Sequence, residues 1–251
     1  MIVLFTDFGL SGPYVGQMKA VLAGLAADHT VIDLQHDAPS CAPKAASYLL
    51  ASLIEKVPAD CIFLCVVDPG VGGQREPGVL KAGDQWFVGP DNGLFEMTIR
   101  QSIARGMDVR WWDIIWRPDA PSASFHGRDI FAPVAARIAM GQGPLIGGTD
   151  VFLEREISAV RHESWPDDLL EVIYIDVFGN AMTGISTRSL DRASTVTVNG
   201  QHLRFCKTFS GISEGACFWY ENSCGLVELA VNKGRAAEHL ELALGTAVSI
   251  S

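Results

Sequence analysis

Asp68 and Arg75 stand at the two ends of the run Asp68-Pro69-Gly70-Val71-Gly72-Gly73-Gln74-Arg75, which follows an apolar stretch from Ile62 to Val67. Glycines allow positive φ and close approach of backbone to a ligand, so an acid and a guanidinium delivered this way can face something small. Other stretches repeat the pairing of a strand end with polar residues and glycine: Thr6-Asp7-Phe8-Gly9, Asp91-Asn92-Gly93, Phe125-His126-Gly127-Arg128-Asp129 and Asp176-Val177-Phe178-Gly179-Asn180. An Asp, an Arg and a His drawn from different loops can surround a water, with His as base and Arg lowering the energy of developing hydroxide. Any one such stretch is usually a cap or turn, because Asp, Asn and Gly are the ordinary turn residues, and it is five of them in one chain that shift the reading towards a site. Asp7, His36, Asp37, Asp68 and His126 are also acceptable metal ligands. The HExxH, clustered-His and DxD-type spacings are absent, and a metal-free site is the preferred reading.

These loops need strands to carry them. Residues 2–5, 31–34 and 62–67 are short apolar runs ending at Asp7, Asp37 and Asp68, and they alternate with helical patterns over 14–25 and 45–54. Such alternation predicts a largely parallel sheet with flanking helices, and ligands in such sheets sit beyond the carboxyl ends of the strands. A hairpin over 79–88, a helix over 94–104, a strand over 109–112 and a helix over 130–140 follow. Residues 141–168 lack sustained periodicity and read as a connection. Beyond it, short strands at 170–175, 195–198, 201–205, 217–220, 226–231 and 247–250, with the hairpin signal Asn199-Gly200, predict a small antiparallel barrel or sandwich, of which the barrel is the preferred reading. The expected organisation is an N-terminal α/β domain over 1–160 and a C-terminal β-barrel domain over 168–251.

The 251 residues carry a formal charge of −10, which argues against nucleic acid as a partner. The start Met1-Ile2-Val3-Leu4-Phe5 lacks a basic leader and meets Asp7 early, and no apolar run is long enough for a bilayer; a cytoplasmic protein without membrane partners is expected. The six cysteines contain no CxxC pair and suggest neither zinc nor a disulfide framework.

Taken together, Thr6-Asp7-Phe8-Gly9, Tyr14-Val15-Gly16-Gln17-Met18-Lys19, Val67-Asp68-Pro69-Gly70-Val71-Gly72, Gly89-Pro90-Asp91-Asn92-Gly93, the run from Phe125 to Pro133 and Phe178-Gly179-Asn180 resemble the S-adenosyl-L-methionine hydroxide adenosyltransferases, relatives of the fluorinase and chlorinase. The resemblance implies hydrolysis of S-adenosyl-L-methionine to adenosine and L-methionine, with activated water attacking the ribose 5′ carbon and no cofactor or metal. It matches Asp68, Arg75 and His126 to the trio around the water, and retention of that trio points to hydrolysis and not halide transfer.

The same resemblance assigns Asp7 to the ribose hydroxyls and Phe125 and Gly127 to the ribose and methionine region. It assigns Asp176 to the methionine ammonium, Phe178 and Asn180 to adenine, Ser223 to the methionine carboxylate, and Asn232 and Ala236 to the adenine-side loop. It also implies a homotrimer whose site lies at the subunit interface. Two positions depart from the family pattern. Thr183-Gly184-Ile185 stands where Thr-Asn-Ile is usual, and Cys224 stands where halogenases carry Arg. The alternatives are a metal-dependent phosphohydrolase using Asp7 and Asp68, and a protein that binds adenosine or S-adenosylmethionine without turning it over.

Overall fold

The computed structural model describes residues 1–146, 148 and 150–251; 147 and 149, in the expected connection, lie outside the described residues. The chain divides into two compact units, Met1–His162 and Glu163–Ser251.

In the first unit, β1 (Ile2–Thr6), β2 (Val31–Gln35), β3 (Ile62–Val66), β4 (Pro77–Ala82), β5 (Gln85–Pro90), β6 (Val109–Ile114) and β7 (Phe152–Arg155) form one sheet in the order β2-β1-β3-β5-β4-β6-β7. β2, β1, β3 and β5 run parallel, whereas β4 pairs antiparallel with β5 and β6, and β6 with β7. The expected parallel sheet is therefore one half of a mixed sheet. The hairpin over β4 and β5 inserts an antiparallel strand beside β5, and β7 extends the far edge from within the stretch read as a connection. Its four residues, Phe-Leu-Glu-Arg, are too few to show a period.

Every residue of β1 and β3 is buried, as strands covered on both faces must be. One face carries Ile2, Leu4, Leu64, Val66 and Val88, packed with Val15, Met18 and Leu22 of α1 (Tyr14–Leu25) and with α4 (Ala132–Ala139); the helices α2 (Pro43–Leu53) and α3 (Glu96–Ala104) lie between them in sequence. Val15, Met18 and Leu22 repeat at helical spacing, which places one stripe of α1 on the sheet. The other face stacks Phe63 on Phe87 at 4.9 Å, and Phe87 meets Phe95 just before α3.

In the second unit, β8 (Leu169–Ile175), β9 (Ala181–Ser186), β10 (Val196–Val198), β11 (Gln201–Leu203), β12 (Cys217–Glu221), β13 (Leu226–Val231) and β14 (Val248–Ile250) are antiparallel. They form a four-stranded sheet, β12-β13-β9-β8, and a three-stranded one, β11-β10-β14. Isolated bridges join Glu171 to Ala247 and Phe205 to Trp219. Asn199 and Gly200 turn β10 into β11 with φ of 47° and 77°, the left-handed pair that a tight two-residue hairpin requires.

β9 is an addition to the strands expected from sequence. It holds Gly184, whose hypothetical Cβ would lie 2.6 Å from Leu169 Cβ, so glycine there lets β8 and β9 close together. Gly184 thus has a packing role in the sheet. Among the described residues no helix is long and apolar enough to cross a membrane.

Candidate active site

In the first unit the register of β1 on β3 sets Thr6 beside Val66, so Asp7 and the Asp68 loop leave the sheet side by side. Asn92 fixes the exit of β3 by donating from Nδ2 to the Val67 carbonyl at 2.9 Å. The loop then turns twice, with the Val71 amide on the Asp68 carbonyl at 3.3 Å and the Gly73 amide on the Gly70 carbonyl at 3.0 Å. Gly72 has φ of 76°, and a Cβ there would stand 2.5 Å from the Ala123 carbonyl oxygen. This glycine is needed both for its backbone conformation and for the approach of the segment leading to His126.

The folded loop brings Arg75 back onto Asp68. Nε donates to Asp68 Oδ1 at 2.8 Å and Nη2 to Oδ2, a bidentate pair in which both side chains are almost buried. Nη2 also reaches His126 Nδ1 at 3.0 Å, and the guanidinium lies over the Phe131 ring at 5.4 Å. Since a guanidinium only donates, His126 Nδ1 is the acceptor, and the neutral ring carries its proton on Nε2. Burial, and then the positive charge of Arg75, lower the His126 pKa, partly offset by Asp68. His126 immediately precedes a wide helical turn at Gly127–Phe131 that leads into α4, a local geometry frequent at functional sites. The structure therefore joins Asp68, Arg75 and His126, although 51 residues separate the last two.

Asp7 accepts from the Cys41 amide at 2.9 Å. Burial raises its pKa, the Cys41 bond opposes that, and the nearby Asp68 adds to the rise. Phe125 packs with Phe8 and Tyr14 at centroid distances of 5.7 and 5.3 Å. Gly127 sits under this aromatic group, where a Cβ would be 3.2 Å from the Phe125 ring and 3.3 Å from Met18 Sδ. A cavity of about 420 Å³ opens here, with Phe8, Tyr14, Phe125, Gln17 and Arg128 on its walls. His36 is held apart from this group: its Nδ1 is 2.8 Å from Thr6 Oγ1 and its Nε2 is 3.2 Å from Asp33. Among the described residues no three His, Cys, Asp or Glu side chains gather as metal ligands would.

The second unit has its own cavity, about 740 Å³, whose walls include Asp176, Phe178, Asn180 and Ser223. Asp176 accepts from the Asn180 amide at 2.8 Å and from Asn180 Nδ2 at 3.2 Å, closing the loop between β8 and β9. Gly179, with φ of 82°, packs so closely on Arg235 that a Cβ would stand 2.8 Å from the arginine Cβ. Asn232 and Ala236 are absent from the wall. Asn232 spends its amide on the Ile212 carbonyl at 2.7 Å, and Ala236 is fully buried in the unit's core.

The sequence reading missed Tyr220 and Glu228, which line this cavity together with Asn222 of the Asn222-Ser223 pair. Glu228 accepts from the Tyr220 hydroxyl at 2.5 Å and from Asn222 Nδ2 at 2.8 Å. A signal was present, since Glu228 is a lone acid in the apolar run Leu226-Val227-Glu228-Leu229-Ala230-Val231. Cys224 lies beside Ser223, its amide donating to Asn222 Oδ1 at 2.9 Å.

Comparison with known proteins shows the family to which the chain belongs. Residues 2–146 match the SAM hydroxide adenosyltransferase N-terminal domain, and 170–249 the C-terminal domain. The (R)-S-adenosyl-L-methionine hydrolase of Thermus thermophilus is 36% identical, over 99% of this chain and 98% of its own; that of Salinispora arenicola is 35% identical, over 98% and 95%. A crystal structure of an uncharacterized conserved protein from Thermotoga maritima is similar with a TM-score of 0.83 and 32% identity, covering 100% of this chain and 99% of that one. Matched in both units and along nearly its full length, this chain belongs to the SAM hydroxide adenosyltransferase family.

Proposed function

We propose that this protein hydrolyses S-adenosyl-L-methionine: water attacks the ribose 5′ carbon, the C5′–S bond breaks, and adenosine, L-methionine and a proton are released. The observation that carries this reading is the hydrogen-bonded line from Asp68 through Arg75 to His126. Asp68 orients the guanidinium, whose Nη1 hydrogens remain to polarise the water. His126, kept neutral by burial and by Arg75, receives the proton at Nδ1 as Arg75 turns its N–H from the ring to the incoming oxygen. The sulfonium is already a good leaving group, so an aligned and desolvated nucleophile suffices, without metal or cofactor.

In this reading Asp7 accepts from the ribose hydroxyls, with Phe125 and Gly127 shaping the ribose side. Asp176 and Ser223 take the methionine end, and Phe178 and Asn180 take adenine. Asn232 and Ala236 act only by backing the adenine loop, consistent with their positions behind the cavity wall. We read the two sheets of the second unit as one barrel, closed through the bridges at Glu171 and Phe205. The reading extends to a cytoplasmic homotrimer with the site at the subunit interface, and the exposure of Val177 (79%) and Phe178 (71%) supports a covering neighbour.

The test is release of adenosine and methionine from S-adenosylmethionine in the presence of a chelator, with Arg75→Ala and His126→Ala alongside. Full wild-type turnover in chelator is expected, with each variant slower by about 100-fold or more. Loss of turnover on chelation would favour a metal-dependent phosphohydrolase, and binding without products would favour a non-catalytic nucleoside-binding protein. Unchanged rates in both variants would remove the assigned roles.

A further inference from the structure

The cavity of the second unit has an unusual charge arrangement. Glu228 is 2% exposed, and it shares the wall with Asp176. The wall's two cations are turned to other acids: Lys233 pairs with Glu214 at 2.8 Å, and Arg235 with Glu238 at 2.6 Å. Among the described residues neither Asp176 nor Glu228 has a Lys or Arg partner within ion-pair distance. A buried carboxylate without a counter-charge is costly unless something cationic completes it.

Register explains how Glu228 is held. Tyr220 pairs with Glu228 across β12 and β13, and Glu228 with Met182 across β13 and β9, so the three side chains stand in a row on one face of the sheet. Tyr220 donates to Oε1 and Asn222 to Oε2, while Asn180 donates twice to Asp176. Each carboxylate oxygen has accepted one hydrogen bond and has capacity for another. What remains is an acceptor-only surface, complementary to an ammonium, which has three donors and no acceptor. Burial raises the Glu228 pKa, its bonds to Tyr220 and Asn222 oppose that, and the charge of Asp176 adds to the rise.

We propose that Glu228 is a specificity-determining residue: with Asp176 it selects substrates whose amino-acid end carries a cation and discriminates S-adenosylmethionine from uncharged adenosine derivatives. This rests on the hydrolase reading and assigns Glu228 a part in it, through binding and not through the reacting atoms.

The experiment compares wild type, Glu228→Gln and Tyr220→Phe, measuring initial rates on S-adenosylmethionine and calorimetric binding of adenosine. Glu228→Gln keeps size and one acceptor oxygen, and it is expected to raise KM about ten-fold or more while kcat changes less than about three-fold. Tyr220→Phe, which leaves the charge but loosens it, is expected to raise KM by a smaller factor. Adenosine affinity is expected to stay within about two-fold in both variants, an outcome that general damage to the fold would not produce. Unchanged KM in Glu228→Gln, or equal losses for S-adenosylmethionine and adenosine, overturns the role of Glu228 and leaves the hydrolase reading standing. A wild-type protein that neither binds nor cleaves S-adenosylmethionine overturns both. Should Glu228→Gln fail to fold, unchanged KM in Tyr220→Phe overturns the proposal.

Discussion

Arg75 Nη2 stands 3.0 Å from His126 Nδ1, and in that contact the guanidinium can only donate and the imidazole only accept. Protonating His126 would place two cations face to face. Its pKa is accordingly below the ordinary 6.5, with burial the larger cause and Arg75 the next. The neutral form therefore prevails at neutral pH, and hydrolysis is expected to decline as pH falls through a midpoint below 6.5. Histidine NMR titration checks this directly: Arg75→Ala is expected to move the His126 midpoint upward, and a downward or absent shift would contradict the contact.

Gly72→Ala should be among the most damaging single-methyl additions in the chain. It asks an L residue to hold φ of 76° with its Cβ 2.5 Å from the Ala123 carbonyl oxygen. A stability loss of about 1–3 kcal/mol is expected from the backbone conformation alone. Displacement of the loop should cut hydrolysis by more than the thermal shift accounts for. Equal activity after correction for the folded fraction would show that the loop geometry is unimportant to the reaction.

Asn92→Ala removes the clamp on the Val67 carbonyl, one residue before Asp68, and leaves the Leu94 amide without its side-chain acceptor. A loss of about 1–2 kcal/mol in denaturant unfolding is expected. Because the clamp sets where Asp68 begins and not how substrate is held, kcat should fall while KM changes little. A rise in KM at constant kcat would place Asn92 in binding instead.

Gly179→Ala tests the second unit. Both the φ of 82° and the 2.8 Å approach to Arg235 exclude a side chain, so the loop carrying Phe178 and Asn180 must shift. Weaker adenosine binding by about ten-fold is expected in calorimetry. Retained affinity would separate this loop from nucleoside recognition.

Much of this organisation was open to reading from local pattern. Val15, Met18 and Leu22 marked the buried stripe of α1, and Asn199-Gly200 marked its hairpin, because both signals depend on neighbours a few residues away. β7 escaped because four residues without a period resemble a loop, and β9 because Gly184 weakens any strand pattern. That glycine makes sense only beside Leu169, and contact with a paired strand is not a local property. Asn232 and Ala236 show the same dependence on distant neighbours: the Asn232 amide bonds the Ile212 carbonyl and Ala236 is buried in the core, neither of which a local pattern reveals.

By itself, the sequence determined the alternation of strands and helices in the first unit, the short strands of the second, and which loops carry Asp68, Arg75, His126 and Asp176. These follow from periodicity and turn chemistry, which act over a few residues. Only the tertiary structure decided that Arg75 folds back on Asp68 and meets His126, that Asn92 holds the end of β3, and that Glu228 faces a cavity with Asp176 while, among the described residues, no Lys or Arg lies within ion-pair distance of it. Sheet order, strand register and packing bring together residues that are distant along the chain, and hydrogen bonds and desolvation then set what each acid and base can do.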